Sequence, residues 1–183
     1  MTTTTKTALV PDSLKTVLQD QNFDSKRSQD EIATFLEKLA NLDLEPMIFR
    51  TTHEEVGEGW TVEKADQVEV WYRQFLLLNF LYYGERSIVP TADVDKMWHA
   101  HILDTEKYDE DCQHLFGFKL QHFPYMGLRG VEDKQNLERS FVSTVKMYQK
   151  FFSTDYQLLL TCGSTGCGPH PGADFSRPTV NRV

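Results

Sequence analysis

After Thr61 comes the stretch that most limits how this chain can fold. Val68, Trp71, Tyr72, Phe75, Leu76, Leu78, Phe80 and Leu81 recur so closely that a helix running to about Tyr83 is apolar over more than half its circumference. Such a helix cannot lie on a surface and must be sheathed by other elements. Thr61 offers its N-cap, and Gly84 stands where a left-handed residue ends a helix. The Phe80, Tyr72, Tyr82 and Tyr83 aromatics on this helix read as core rather than as a ligand pocket.

The rest of the chain supplies the sheath. Pro11-Asp12-Ser13 followed by Leu14, Val17 and Leu18 predicts a short helix. Ser28 opens another, with Ile32, Phe35, Leu36 and Leu39 in register to about Leu42, and Pro46 is expected to stop any continuation. Met47-Ile48-Phe49 reads as a short strand or buried turn, and Glu54 to Gly59 as an exposed acidic loop with His53 at its edge. Beyond the extended Ser87-Ile88-Val89-Pro90, helices over about 92–103 and 105–116 meet at a corner, capped by Thr91 and by Asp104 or Thr105. Lys119 to Gly130 reads as a loop or short hairpin. A last helix over 131–152 carries Leu137, Phe141, Val145, Tyr148 and Phe152.

These signals give an all-α fold, a predominantly helical single domain with at most a minor extended hairpin. Residues 1–10 are expected as a flexible leader, 11–160 as the helical domain and 161–183 as a Cys-, Gly- and Pro-containing flexible tail. With 183 residues, 40% of them apolar and 12 Phe, 7 Tyr and 3 Trp among them, a core can form without disulfides or metal staples. The net charge of -8 argues against nucleic acid as a partner, because phosphate binding draws on Lys and Arg. No apolar run is long enough to span a bilayer and the Thr-rich start has no apolar signal core, so a cytoplasmic protein without membrane attachment is expected. Three cysteines, two of them five apart in the tail, make no disulfide framework.

Chemistry concentrates in Asp95-Lys96-Met97-Trp98-His99-Ala100-His101. Imidazole is the commonest ligand for borderline divalent metals such as zinc or iron, and a site needs three or four groups converging from more than one segment. On a helix Asp95 and His99 share a face, whereas His99 and His101 point about 200° apart. Both histidines can serve one ion only if the helix loosens after His99. Otherwise one faces the site and the other makes a structural hydrogen bond, to Asp104 or to a carbonyl of the corner. Asp95 is then a direct ligand or a carboxylate that orients an imidazole.

The candidate metal set is therefore His99, Asp95, His101 and His122, with His53, Cys112 and His114 as further donors at no diagnostic spacing. Two other readings stay open. In one the histidines are satisfied, buried residues that lock the corner around Trp98; in the other they work as acid and base without metal, Asp95 holding the His99 tautomer and Tyr108 donating a proton. In the tail, Cys162, Cys167 and His170 gather two thiols and an imidazole, a candidate metal or redox group that lacks a fourth ligand. No phosphate-cradling Gly loop, nucleophile elbow or His-Glu-x-x-His helix occurs.

Val94-Asp95-x-x-Trp98-His99-x-His101-Ile102-Leu103, with Tyr108, Asp111-Cys112 and Phe116-Gly117 after it and Trp71-Tyr72-Arg73-Gln74-Phe75-Leu76 and Ile88-Val89-Pro90 before it, resembles the glycine-rich domain-containing protein-like family. The likeness covers roughly residues 60 to 125. It implies a helical domain but no reaction, since that family is described through development, stress and RNA-related modules. An RNA-related role is not expected here, where no RNA-binding module is seen and the Gly-rich tail is vestigial. Two functions remain in contention: a helical protein with a His-centred divalent-metal or polar pocket acting on a small molecule by hydrolysis or oxidation, and a non-enzymatic module that binds a protein partner and uses the Trp-His corner as a structural lock.

Overall fold

The computed structural model describes residues 25–153 and Arg177. Six helices occupy the described residues: α1 (Gln29–Ala40), α2 (Glu45–Thr52), α3 (Val62–Tyr82), α4 (Ala92–Leu103), α5 (Thr105–Phe116) and α6 (Val131–Phe152). No strand forms among them, so the predominantly helical expectation holds. The leader, the helix expected from Pro11 and, apart from Arg177, the tail lie outside the described residues.

Local chemistry explains most boundaries. Ser28 Oγ accepts from the Glu31 amide at 3.2 Å while the Glu31 carboxylate accepts from the Ser28 amide at 2.8 Å, a reciprocal cap that starts α1. Thr61 Oγ1 caps α3 through the Lys64 amide, and Gly117 ends α5 with φ of 76°. The segment around Met47 departs from expectation. It is helix rather than strand or turn: α1 has ended at Ala40, before Pro46, and Pro46 lies in the first turn of α2. In the first turn of a helix the missing proline N–H has no partner to lose, and the fixed φ suits helical geometry.

α3 is the axis of the molecule, buried without a break from Trp71 to Tyr82, and it touches α1, α2, α4 and α6. Its buried Glu69, Arg73 and Asn79 side chains find partners inside the protein, while Gln74 Oε1 is the buried side-chain atom left without one among the described residues. Arg73 is buried and binds Glu69 Oε1 and the carbonyls of Leu39 and Leu42, so it caps the C-terminal end of α1 from the neighbouring helix. Tyr148 of α6 donates to the Trp71 carbonyl at 2.8 Å, which fixes α6 against the same axis.

Residues 118–130 form a loop, not a hairpin; Phe123 in it and Thr91 before α4 are the isolated β-bridge positions among the described residues. Asp133 braces the end of this loop, accepting from the amides of Gly127 and Arg129 and from the Arg129 guanidinium. Those bonds hold its carboxyl below the usual carboxylate range. Gly127 has φ of 86°, and a Cβ there would sit 2.6 Å from Leu137 Cδ2, so the turn requires glycine.

Candidate metal centre

Thr91 starts α4, its hydroxyl accepting from the Val94 amide and its carbonyl from the Asp95 amide at 2.8 Å. From that start the helical period sorts the motif. Val94, Met97 and Trp98 turn into the core, with Trp98 wholly buried and its ring 4.9 Å from that of Phe75. Asp95 and His99, one turn apart, look toward the loop after α5.

His122 descends from that loop onto them. Its Nε2 lies 3.0 Å from Asp95 Oδ1 and 2.9 Å from His99 Nε2, while His99 Nε2 is 3.7 Å from Asp95 Oδ2. Asp95 is buried, His122 nearly so, and the His99 side chain is 50% exposed, so the cluster is walled on one side and open to solvent on the other. Among the described residues, these three form the one group of His, Cys, Asp or Glu with ligand atoms this close together. A carboxylate offers only acceptors and a neutral imidazole a single N–H. Two ring nitrogens and a carboxylate oxygen at such separations are therefore held together by shared protons or by a cation among them.

What positions His122 is a relay through the corner. Trp98 Nε1 donates to the Tyr108 hydroxyl at 2.8 Å, and that hydroxyl donates to the Leu120 carbonyl at 2.6 Å. Leu120 is buried, and two residues later the His122 ring packs on the Trp98 indole with centroids 4.6 Å apart. The Tyr108 hydroxyl thus has both a donor and an acceptor inside the core, and burial raises its pKa far above the phenolic range. Tyr108 faces the backbone of residue 120 rather than the cluster; it does not stand as a proton donor to the three site residues.

His101 goes elsewhere. It is buried against α3 and α5, where its Nδ1 meets the Tyr72 hydroxyl and its Nε2 meets Asp111 Oδ2, both at 2.9 Å. Lys107 completes the line at 3.0 Å from the same carboxylate oxygen. With Nε2–H given to Asp111, Nδ1 is the acceptor that the Tyr72 hydroxyl needs. Burial alone would raise the Asp111 pKa; the hydrogen bonds from His101 and Lys107 outweigh it and hold the carboxyl below its ordinary value. The structure therefore does not bring His101 to the cluster of Asp95, His99 and His122, and its partner is neither Asp104 nor a corner carbonyl. Asp104 caps α5 through the Lys107 amide instead.

The other sequence candidates also stand apart from the site. Cys112 is buried in the core, where burial pushes its thiol pKa up. His53 Nδ1 accepts from the Glu55 amide, and the carbonyl of His114 is taken by Lys38. Cys162, Cys167 and His170 lie outside the described residues. Tyr72 and Asp111 went unnoticed as partners of a histidine, although Asp111 stands in the motif's own flank and Tyr72 falls on the stripe read as core.

The chain belongs to the UCP032817-like family, whose model matches residues 34–153, from within α1 to the end of α6 and across the whole site. It is also similar to Glycine-rich domain-containing protein 1 of Arabidopsis thaliana, 27% identical over 133 residues. That similarity takes in 69% of this chain but 16% of the plant protein, so the chain spans only a small part of its relative's length. No solved structure matches.

Proposed function

We propose that this member of the UCP032817-like family binds a divalent transition metal, zinc or iron, through Asp95, His99 and His122, and acts on a small molecule by hydrolysis or oxidation. The observation that carries the reading is the spacing of the ligand atoms. Donors about 2.0–2.1 Å from one ion and about 90–110° apart lie about 2.9–3.4 Å from each other. The pairs that share His122 Nε2, at 2.9 and 3.0 Å, fall in that interval, while His99 Nε2 and Asp95 Oδ2, 3.7 Å apart, lie outside it and would have to draw together around an ion. Two imidazoles and one carboxylate are a ligand set shared by catalytic zinc sites and by non-haem iron sites.

The half-exposed face of His99 supports a catalytic rather than a purely structural site, since structural sites are closed by a fourth protein ligand. Such a metal, when bound, lowers the pKa of a coordinated water or binds an oxygen of the substrate. The protein's own contribution is to hold Asp95 on one wall and His122 on another while leaving the His99 side open.

The competing reading, an interaction module with a structural corner, draws support from His101 and Trp98, whose polar atoms are all satisfied inside the fold. It explains the convergence of His99 and His122 on Asp95 by shared protons rather than by an ion. Elemental analysis of purified protein, followed by reconstitution of the metal-free chain with zinc or ferrous iron, divides the two. The metal reading expects one ion per chain, lost in both His99→Ala and His122→Ala. A chain that takes up neither metal leaves the interaction module standing.

A further inference from the structure

We infer that Tyr108 is a positioning residue for the proposed metal site, setting metal affinity through the Leu120 carbonyl without touching the ion. The inference rests on the metal reading above and adds to it the part of the fold that holds the one ligand not carried by a helix. Asp95 and His99 are placed by α4, whose cap and core side chains fix them whether or not the loop is in place. His122 has no such support, because it belongs to the loop between α5 and α6.

Inside that loop, Lys119 pairs with Asp109 of α5 and the Leu120 backbone meets Cys112, while Leu120 and His122 lie against Tyr108 and Trp98. Leu120 is buried and its carbonyl takes the Tyr108 hydroxyl at 2.6 Å; the His122 ring lies on Trp98, whose indole N–H holds the same hydroxyl at 2.8 Å. One oxygen therefore ties together the α4 side chain under His122 and the backbone two residues before it. Removing it frees both at once: the Trp98 N–H loses its acceptor and the Leu120 carbonyl its donor. Groups that orient a ligand in this way usually change metal affinity about 10–100-fold when lost.

Tyr72 provides the matched control. Its hydroxyl is as deeply buried, lies in the same corner and also binds a motif residue, but that residue is His101, away from the cluster. Tyr108→Phe and Tyr72→Phe delete the same atom from the two networks, so both should lower thermal stability. The metal-free wild-type chain and both variants are titrated with cobalt(II), reading the visible ligand-field spectrum and the dissociation constant.

The expected result is that Tyr108→Phe weakens cobalt binding by about 10–100-fold and shifts the spectrum toward that of His122→Ala, while Tyr72→Phe keeps the wild-type spectrum and affinity. Equal weakening in both variants, or wild-type binding by a folded Tyr108→Phe, overturns the positioning role while leaving the metal reading intact. Absence of cobalt binding by the wild-type chain overturns both.

Discussion

Two histidines separated by one residue meet opposite fates in this protein. His101 is sealed between α3 and α5 with a partner on each ring nitrogen, whereas His99 is half exposed and meets His122 and Asp95. The helix period accounts for the division, because residues two apart on α4 cannot face the same way. The motif is thus not one centre but a buried hydrogen-bond lock and the cluster proposed to bind metal, on different faces of one helix and joined through Trp98. Losses on the lock side should appear as stability and losses on the site side as metal affinity.

The strongest way to break that separation is Trp98→Ala, which empties a fully buried indole and removes the surface beneath His122. Urea unfolding should show a loss of about 3–5 kcal/mol together with loss of metal binding, and a loss under about 1 kcal/mol would mean that Trp98 does not join the two halves. His101→Ala tests the lock alone. It leaves the Tyr72 hydroxyl and Asp111 without their shared partner and should cost about 2–3 kcal/mol with metal affinity unchanged. A selective loss of metal binding there would return His101 to the site.

Asp111→Asn sharpens the picture through pH. The folded carboxyl titrates below its unfolded value, so its contribution is present above about pH 4 and is lost as pH falls through the depressed folded value. Wild type should exceed the variant by about 1–2 kcal/mol near neutrality, and the gap should close in acid. A gap that persists at pH 2–3 would show that packing, not the charge, carries the effect. The smallest stability change is expected of His99→Ala, within about 0.5 kcal/mol for the metal-free protein because the side chain is exposed. A larger loss would place His99 in the lock.

Much of this division was legible before any coordinates. The caps at Ser28, Thr61 and Thr91 announced three helices, the apolar girdle of residues 68–81 announced the central one, and the period alone separated His99 from His101. The helix over Met47–Phe49 is not legible because a proline that bars a preceding helix also fits the first turn of a new one, and the two cases share a sequence. His122 could be named only as one donor among several. Its place depends on a loop tied to the core by contacts such as the Tyr108–Leu120 bond and the Lys119–Asp109 pair, which have no signature in residue spacing. For the same reason Asp111 and Tyr72, not the nearer Asp104, turned out to hold His101: Asp104 was already committed to the first turn of α5.

The central claim is that the site uses His99 and His122 while His101 stays out of it, and it is tested most directly by competitive zinc titration of the metal-free wild-type, His99→Ala, His122→Ala and His101→Gln proteins against a chromophoric chelator. The account predicts one zinc per chain in the wild type and in His101→Gln, and loss of that binding in both of the other variants. Zinc bound equally well by His99→Ala, or lost only in His101→Gln, would contradict it.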